Sequence, residues 1–163
     1  MEISVINNVL EFATQAHGSQ MRKYVNEPYI THPVAVAELV KDRGGDINMQ
    51  CAALLHDVLE DTAVTHAQLR AFLHRVFDIR RAEDVLQLVV ELTDVYTKEN
   101  FPELNRHARK TLEAKRLSQA SDRAKAIKIA DIDHNSESIT KHDPKFAKVF
   151  LQEKEMLLDN LFL

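Results

Sequence analysis

The sequence predicts an all-α fold, a single compact multi-helix domain, on three observations. Its apolar residues recur at intervals of three and four rather than in alternation. Glycine and proline are scarce, with three and four copies in 163 residues, so few positions force irregular backbone. Apolar residues make up 45% and charged residues 28% of a chain long enough to bury one full core.

The elements follow in order. From Ile3 to about Ala16, Val5, Ile6, Val9, Leu10, Ala13 and Ala16 form one helical stripe, and His17-Gly18 ends it. The stretch SQMRKYVNEPYITHP reads as a loop punctuated by Asn26 and Pro28; Thr31-His32-Pro33 then opens a helix with proline in its first turn. That helix runs through VAVAELVKD and stops at Gly44-Gly45, and Asp46 is placed to cap a helix holding CAALLHDVLED. After a break at Thr62 to Thr65, HAQLRAFLHRVF and AEDVLQLVVELTDV read as two amphipathic helices.

YTKENFPELN is a polar connection in which Pro102 bars a continuous helix. RHARKTLEAKRLSQA is a strongly charged helix. RAKAIKIADIDHNSESI follows Ser121-Asp122, with Ala126, Ile127, Ile129 and Ala130 marking a buried segment. Asp143-Pro144 opens a last helix, whose Val149, Phe150, Met156, Leu157, Leu158, Leu161 and Phe162 are expected to close the core. No repeat, linker or low-complexity tract divides the chain.

A formal charge of −4 gives no electrostatic case for a nucleic-acid binder. The one cysteine, Cys51, has no intramolecular partner, which fits a reducing cytosol. Acidic Glu2 and the lack of a positively charged start do not read as a signal peptide. No apolar run approaches the roughly 20 residues of a membrane span. The expectation is a soluble, cytoplasmic chain; its oligomeric state leaves no mark in the sequence.

One stretch breaks the core-like pattern. In CAALLHDVLEDT, residues 51–62, five small or apolar residues precede His56, Asp57, Glu60 and Asp61. On a continuous helix, residues three and four apart share a face, so these four groups crowd one sector. Three carboxylates beside one imidazole repel, and burying them unpaired is costly. A divalent cation resolves the conflict, since carboxylate and neutral imidazole are both its ligands. For a lone His-Asp pair, a common dipeptide, a solvated helix end with a hydrogen-bonded core histidine is the ordinary reading. Two further stretches weigh in. His32 stands at a helix start, where capping or packing are its ordinary roles, and Asp131 follows Ile129-Ala130 in a buried-looking run, where a salt bridge is the ordinary solution.

Taken together, the three stretches supply His, His-Asp and Asp in chain order, the pattern of the HD-domain phosphohydrolases. FATQAHGSQMRKYVNEPYITHPVAVAELV, AALLHDVLEDT, Leu92-Thr93 and KIADIDHN resemble the hydrolase domain of the Rel/Spo-type alarmone enzymes. The likeness is greatest to their small stand-alone, Mesh1-like members and covers about residues 5 to 140.

The resemblance implies that His32, His56, Asp57 and Asp131 hold one divalent metal, typically Mn²⁺. It implies that Glu60 and Asp61 orient the attacking water and assist its deprotonation. The reaction it implies removes pyrophosphate from the ribose 3′ position of ppGpp or pppGpp, leaving GDP or GTP. It places Arg22 and Lys23 beside the nucleotide and Asn135 near the ribose. Arg106 and Arg109, with Lys110, fall at about the distance before Asp131 where the small hydrolases carry basic phosphate contacts; a solvated charged face is the other reading.

Three departures bear on substrate. The family usually reads AD-R/K-L-H/Y-N, and here Ile132 and Asp133 replace the basic and apolar residues. SESI follows Asn135 without an arginine, and Tyr24-Val25-Asn26 replaces a glycine-containing turn. The same metal acting on another nucleotide, such as a phosphate of NADPH or a deoxynucleotide, is one alternative. A silent nucleotide-binding regulatory module is a second.

Overall fold

Local capping decides where most of the helices begin. Asp46, Thr65, Asp78, Asn105, Ser121 and Asp143 each accept a backbone N–H from the first turn of the helix that follows. The protein, seen here as a computed structural model that describes residues 2–162, is all-α, as its periodicity predicts. The helices are α1 (Glu2–His17), α2 (Thr31–Asp42), α3 (Ile47–Leu55), α4 (Val58–Asp61), α5 (His66–Val76), α6 (Ile79–Leu92), α7 (Arg106–Leu117), α8 (Asp122–His142) and α9 (Pro144–Leu161). An isolated bridge between Met21 and Pro28 closes the α1–α2 loop on itself.

The end of α2 shows how a glycine pair works. Gly44 sits at φ +85°, the left-handed conformation favoured just past a helix end. The Gly44 N–H then bonds the Lys41 carbonyl and the Gly45 N–H the Val40 carbonyl, satisfying two groups the helix leaves open. The chain thereby reverses into Asp46 and α3.

Helix α3 is the centre of the molecule. Cys51 to Leu55 are all buried, and α1, α2, α6 and α8 pack around them. Leu69 and Leu73 of α5, Val85 and Val89 of α6 and Ile127 of α8 complete this core. A second, smaller cluster joins Ala114 and Leu117 of α7, Ile132 of α8 and Leu157 and Leu161 of α9. Each fully buried leucine is worth about 1.5–3 kcal/mol over an exposed one, so both clusters hold their helices firmly. The last helix closes the core only through its inner stripe; Val149 and Phe162 face outward. In α8, Ile127 and Ala130 are buried as expected, whereas Ala126 is exposed.

The helix expected through CAALLHDVLED is broken. Helix α3 ends at Leu55, and Asp57 takes φ −99° and ψ −3°, in the bridge region, before the single turn of α4. The hydroxyl of Thr62 bonds back to the Val58 carbonyl and closes that turn. His56 and Asp57 therefore stand at a joint between helices, not on one continuous face. Among the described residues, no helix is long and apolar enough to cross a membrane.

Candidate metal centre

Four side chains from three segments meet at this joint. His32, in the first turn of α2, is brought over α3 by the packing of α2 on it. Its Nε2 lies 3.1 Å from Asp131 Oδ1 on α8 and 3.8 Å from Asp57 Oδ2. His56 Nε2 lies 3.0 Å from Asp57 Oδ2 and 3.6 Å from Asp131 Oδ1. His32, His56 and Asp131 are buried, and Asp57 is nearly so.

Each of these groups has further partners. His56 Nδ1 is 2.7 Å from the Ala53 carbonyl, which can only accept, so Nδ1 carries a proton and Nε2 is the nitrogen turned toward the carboxylates. The Tyr29 hydroxyl donates to Asp57 Oδ2 at 2.5 Å, and the Asn135 amide donates to Asp131 Oδ1 at 2.8 Å. Lys128, one turn before Asp131, takes the other carboxylate oxygen at 3.1 Å. Among the described residues His56 Nε2 is buried without a hydrogen-bond partner, 3.0 Å from the Asp57 carboxylate. His32, His56 and Asp57 each offer a donor atom within 4.8 Å of the other two, a set that could hold a metal ion, and Asp131 Oδ1 stands 3.1 and 3.6 Å from the two imidazole nitrogens.

The electrostatics agree. Burial opposes charge on His56, but the Asp57 carboxylate beside it holds the imidazole well above its ordinary range. Burial likewise opposes ionisation of Asp57, and the His56 imidazolium prevails and lowers it to about 2. For Asp131 burial is outweighed by Lys128 and the two imidazoles, which keep its carboxyl well below the usual value. Positive charge is thus stabilised at the point where a cation would sit.

Glu60 and Asp61 follow on α4. One Glu60 carboxylate oxygen accepts the Asp94 backbone N–H at 3.1 Å. Glu60 keeps contact with solvent on its outer side, yet partial enclosure, with the Asp94 carboxylate next, pushes it up to about 7. Asp61 is raised by its own enclosure and then by Asp57.

Two depressions flank the cluster. One, lined by Arg22, Glu27, Thr31, His134 and Lys141 among others, lies between the α1–α2 loop, α2 and α8. The other, of about 160 Å³, is bounded by α7, α8 and α9, with Lys110, Lys128, Asn135 and Lys154 in its walls. Arg22 is half-buried at the first; Lys23 is exposed, its Nζ 4.9 Å from the Tyr24 ring centroid. Arg106 forks onto Glu153 at 2.6 and 2.8 Å, and Arg109 donates to the Leu104 carbonyl. Of that basic group, Lys110 lines the second depression and the two arginines do not.

Sequence reasoning passed over four neighbours of the centre: Tyr29, Asp94, Lys128 and His134. Lys128 was findable, because a lysine three residues before a buried aspartate on a helix shares its face. The others meet the centre only across packed elements.

A profile of the HD domain matches residues 9–157 of the chain. The chain belongs to the HD-domain family. Among the relatives of this HD-domain chain is the human guanosine-3′,5′-bis(diphosphate) 3′-pyrophosphohydrolase MESH1, 34% identical over 147 residues, covering 88% of this chain and 74% of MESH1. A probable guanosine-3′,5′-bis(diphosphate) 3′-pyrophosphohydrolase of Synechocystis is 37% identical over 135 residues. That match covers 82% of this chain but 16% of the Synechocystis protein, so the HD-domain chain spans only a small part of that relative. A solved structure of a metazoan ortholog of SpoT that hydrolyses ppGpp superposes with a TM-score of 0.79 at 27% identity, over 97% of this chain and 85% of that one.

Proposed function

We propose that this HD-domain chain is a metal-dependent nucleotide phosphohydrolase that removes the 3′-pyrophosphate of ppGpp or pppGpp to give GDP or GTP. The observation that carries this reading is the gathering of His32, His56 and Asp57 within 4.8 Å of one another, with Asp131 against both imidazoles and Glu60 on the turn that follows. The named activity of MESH1, over nearly the whole of this chain, supplies the substrate class.

His32, His56, Asp57 and Asp131 would hold the cation, which we take to be Mn²⁺. Such a cation supplies Lewis-acid polarisation of a phosphate oxygen and a lowered pKa for water. The chain's own residues do the rest. Glu60, with one oxygen tied to the Asp94 N–H, offers its second oxygen to take a proton from the attacking water. Asp61 orients that water. The water oxygen bonds to phosphorus, the bond to the ribose 3′ oxygen breaks, and that oxygen leaves with a proton as the 3′-hydroxyl. Arg22 and Lys23 face the nucleotide from the α1–α2 loop, and Asn135 lies on the ribose side. Arg106 and Arg109 would add phosphate contacts only by leaving their present partners. The protein works on a small nucleotide in the cytoplasm.

A second reading keeps the metal and water and changes the nucleotide. Ile132 is buried among apolar side chains, and Asp133 engages Arg43 at 2.8 Å and Lys154 at 2.9 Å. Cations near the cleft are thereby partly neutralised, which suits a less charged substrate such as an NADPH phosphate or a deoxynucleotide. A silent regulatory module is disfavoured by Glu60, a water-activating carboxylate that binding alone does not need. The deciding experiment incubates Mn²⁺-loaded protein with a nucleotide panel and separates the products by chromatography. GDP and pyrophosphate from ppGpp are expected. Intact ppGpp beside another cleaved nucleotide overturns the leading reading.

A further inference from the structure

His134 stands on α8, three residues beyond Asp131, with its ring stacked against that of His32. The ring centroids are 5.0 Å apart and the planes 27° from parallel. The two Nδ1 atoms are 2.7 Å apart. Facing imidazole nitrogens at that separation require one proton between them, because two lone pairs repel and two N–H groups collide.

Where that proton resides decides what His32 can do. With the proton on His32 Nδ1, the neutral ring presents a lone pair at Nε2, toward Asp57 and Asp131. With the proton on His134 Nδ1, a neutral His32 must carry its own hydrogen on Nε2. It then donates to Asp131 Oδ1, 3.1 Å away, and its coordinating lone pair is lost to the site. His56 avoids this ambiguity because its Nδ1 partner is a carbonyl. Among the described residues His32 Nδ1 meets no carbonyl; its orienting partner is another imidazole from a different helix.

We infer that His134 is a positioning residue that accepts the His32 Nδ1 proton and so fixes His32 in the tautomer able to bind a divalent cation. It touches neither the cation nor the nucleotide in this role. Hydrogen-bond partners of metal-binding histidines act in this way when they are carboxylates or carbonyls, raising ligand basicity and fixing ring orientation. The inference rests on the reading of His32 as a ligand, and the test separates the two.

The measurement is calorimetric titration of metal-free protein with Mn²⁺ alone, for the wild type, His134→Phe, His134→Asn and His32→Ala. Phenylalanine keeps the stacking surface and removes the acceptor, so Mn²⁺ affinity should fall about 10- to 100-fold. Asparagine can place its amide oxygen near the Nδ1 position and should restore most of the affinity. Unaltered affinity in His134→Phe overturns the inference, as does an asparagine variant as weak as the phenylalanine one. Unaltered affinity in His32→Ala overturns the ligand reading itself. Imidazole nitrogen NMR of Zn²⁺-loaded wild-type protein gives an answer that no variant's folding can obscure. It should show a protonated His32 Nδ1 and an unprotonated His134 Nδ1; the reverse assignment sinks the proposal.

Discussion

His32 and Asp131, on α2 and α8, approach to 3.1 Å in the interior, Nε2 against a carboxylate oxygen. Asp131 also neutralises Lys128 on its other side. Asp131→Ala should therefore abolish Mn²⁺ retention, measured by elemental analysis after gel filtration. It should also lower the urea midpoint, because the Lys128 ammonium loses its nearest partner and keeps only the Asp94 carboxylate at 3.8 Å. Asp57→Ala should lose the metal and turnover as well. A metal content equal to that of the wild type in both variants would remove these aspartates from the site.

Glu60→Gln tests the base. The substitution should spare metal binding and slow turnover by a factor on the order of 10²–10⁴. Because enclosure and Asp94 raise the carboxyl to about 7, the working, deprotonated form grows as pH rises through neutrality. In the wild type kcat/KM should climb from pH about 6 to 8 and then level, falling roughly tenfold per pH unit on the acid side. Residual activity in Glu60→Gln should lack that acid limb. A limb that survives the substitution belongs to another group.

Metal affinity should itself depend on pH. The Asp57 carboxylate holds the His56 imidazole well above its ordinary pKa in the metal-free protein, so a cation must displace a proton to bind. A raised pKa means that the competing proton is present at neutral pH and is lost only as pH rises. Mn²⁺ affinity should accordingly increase with pH across neutrality. Titrations in buffers of different ionisation enthalpy should register proton release; no release would mean that His56 is already neutral.

Gly45→Ala tests the joint between α2 and α3. A Cβ there would lie 2.8 Å from the Val40 carbonyl oxygen, and also against the Val40 side chain, closer than real Cβ atoms come. The turn must shift, at a cost of about 1–3 kcal/mol. The expected result is a lower urea midpoint with an unchanged slope, since the surface exposed on unfolding stays the same.

Much of this architecture was legible residue by residue. Asp46 caps α3 and Asp143 opens α9 by bonding groups within the first turn that follows, and Gly44 ends α2 by its own backbone freedom. That His32, His56-Asp57 and Asp131 share a site was implied by their resemblance to the HD-domain motif, since each residue alone has an ordinary structural role. The break after Leu55 was not legible, because CAALLHDVLED has no proline or glycine to announce it. Nor was the commitment of Arg106 to Glu153, a residue on another helix.

By itself, the sequence determined the helical class, most of the helix starts and the ligand-type side chains available for chemistry. Only the tertiary structure decided that α2 and α8 close over α3 so that His32 and Asp131 meet beside His56 and Asp57. It likewise decided that Lys128, Tyr29 and His134 stand behind them. The reason is one of range. A cap or a stripe depends on groups a few residues apart, whereas protonation, pairing and metal fit depend on atoms that only packing brings within 4 Å of one another.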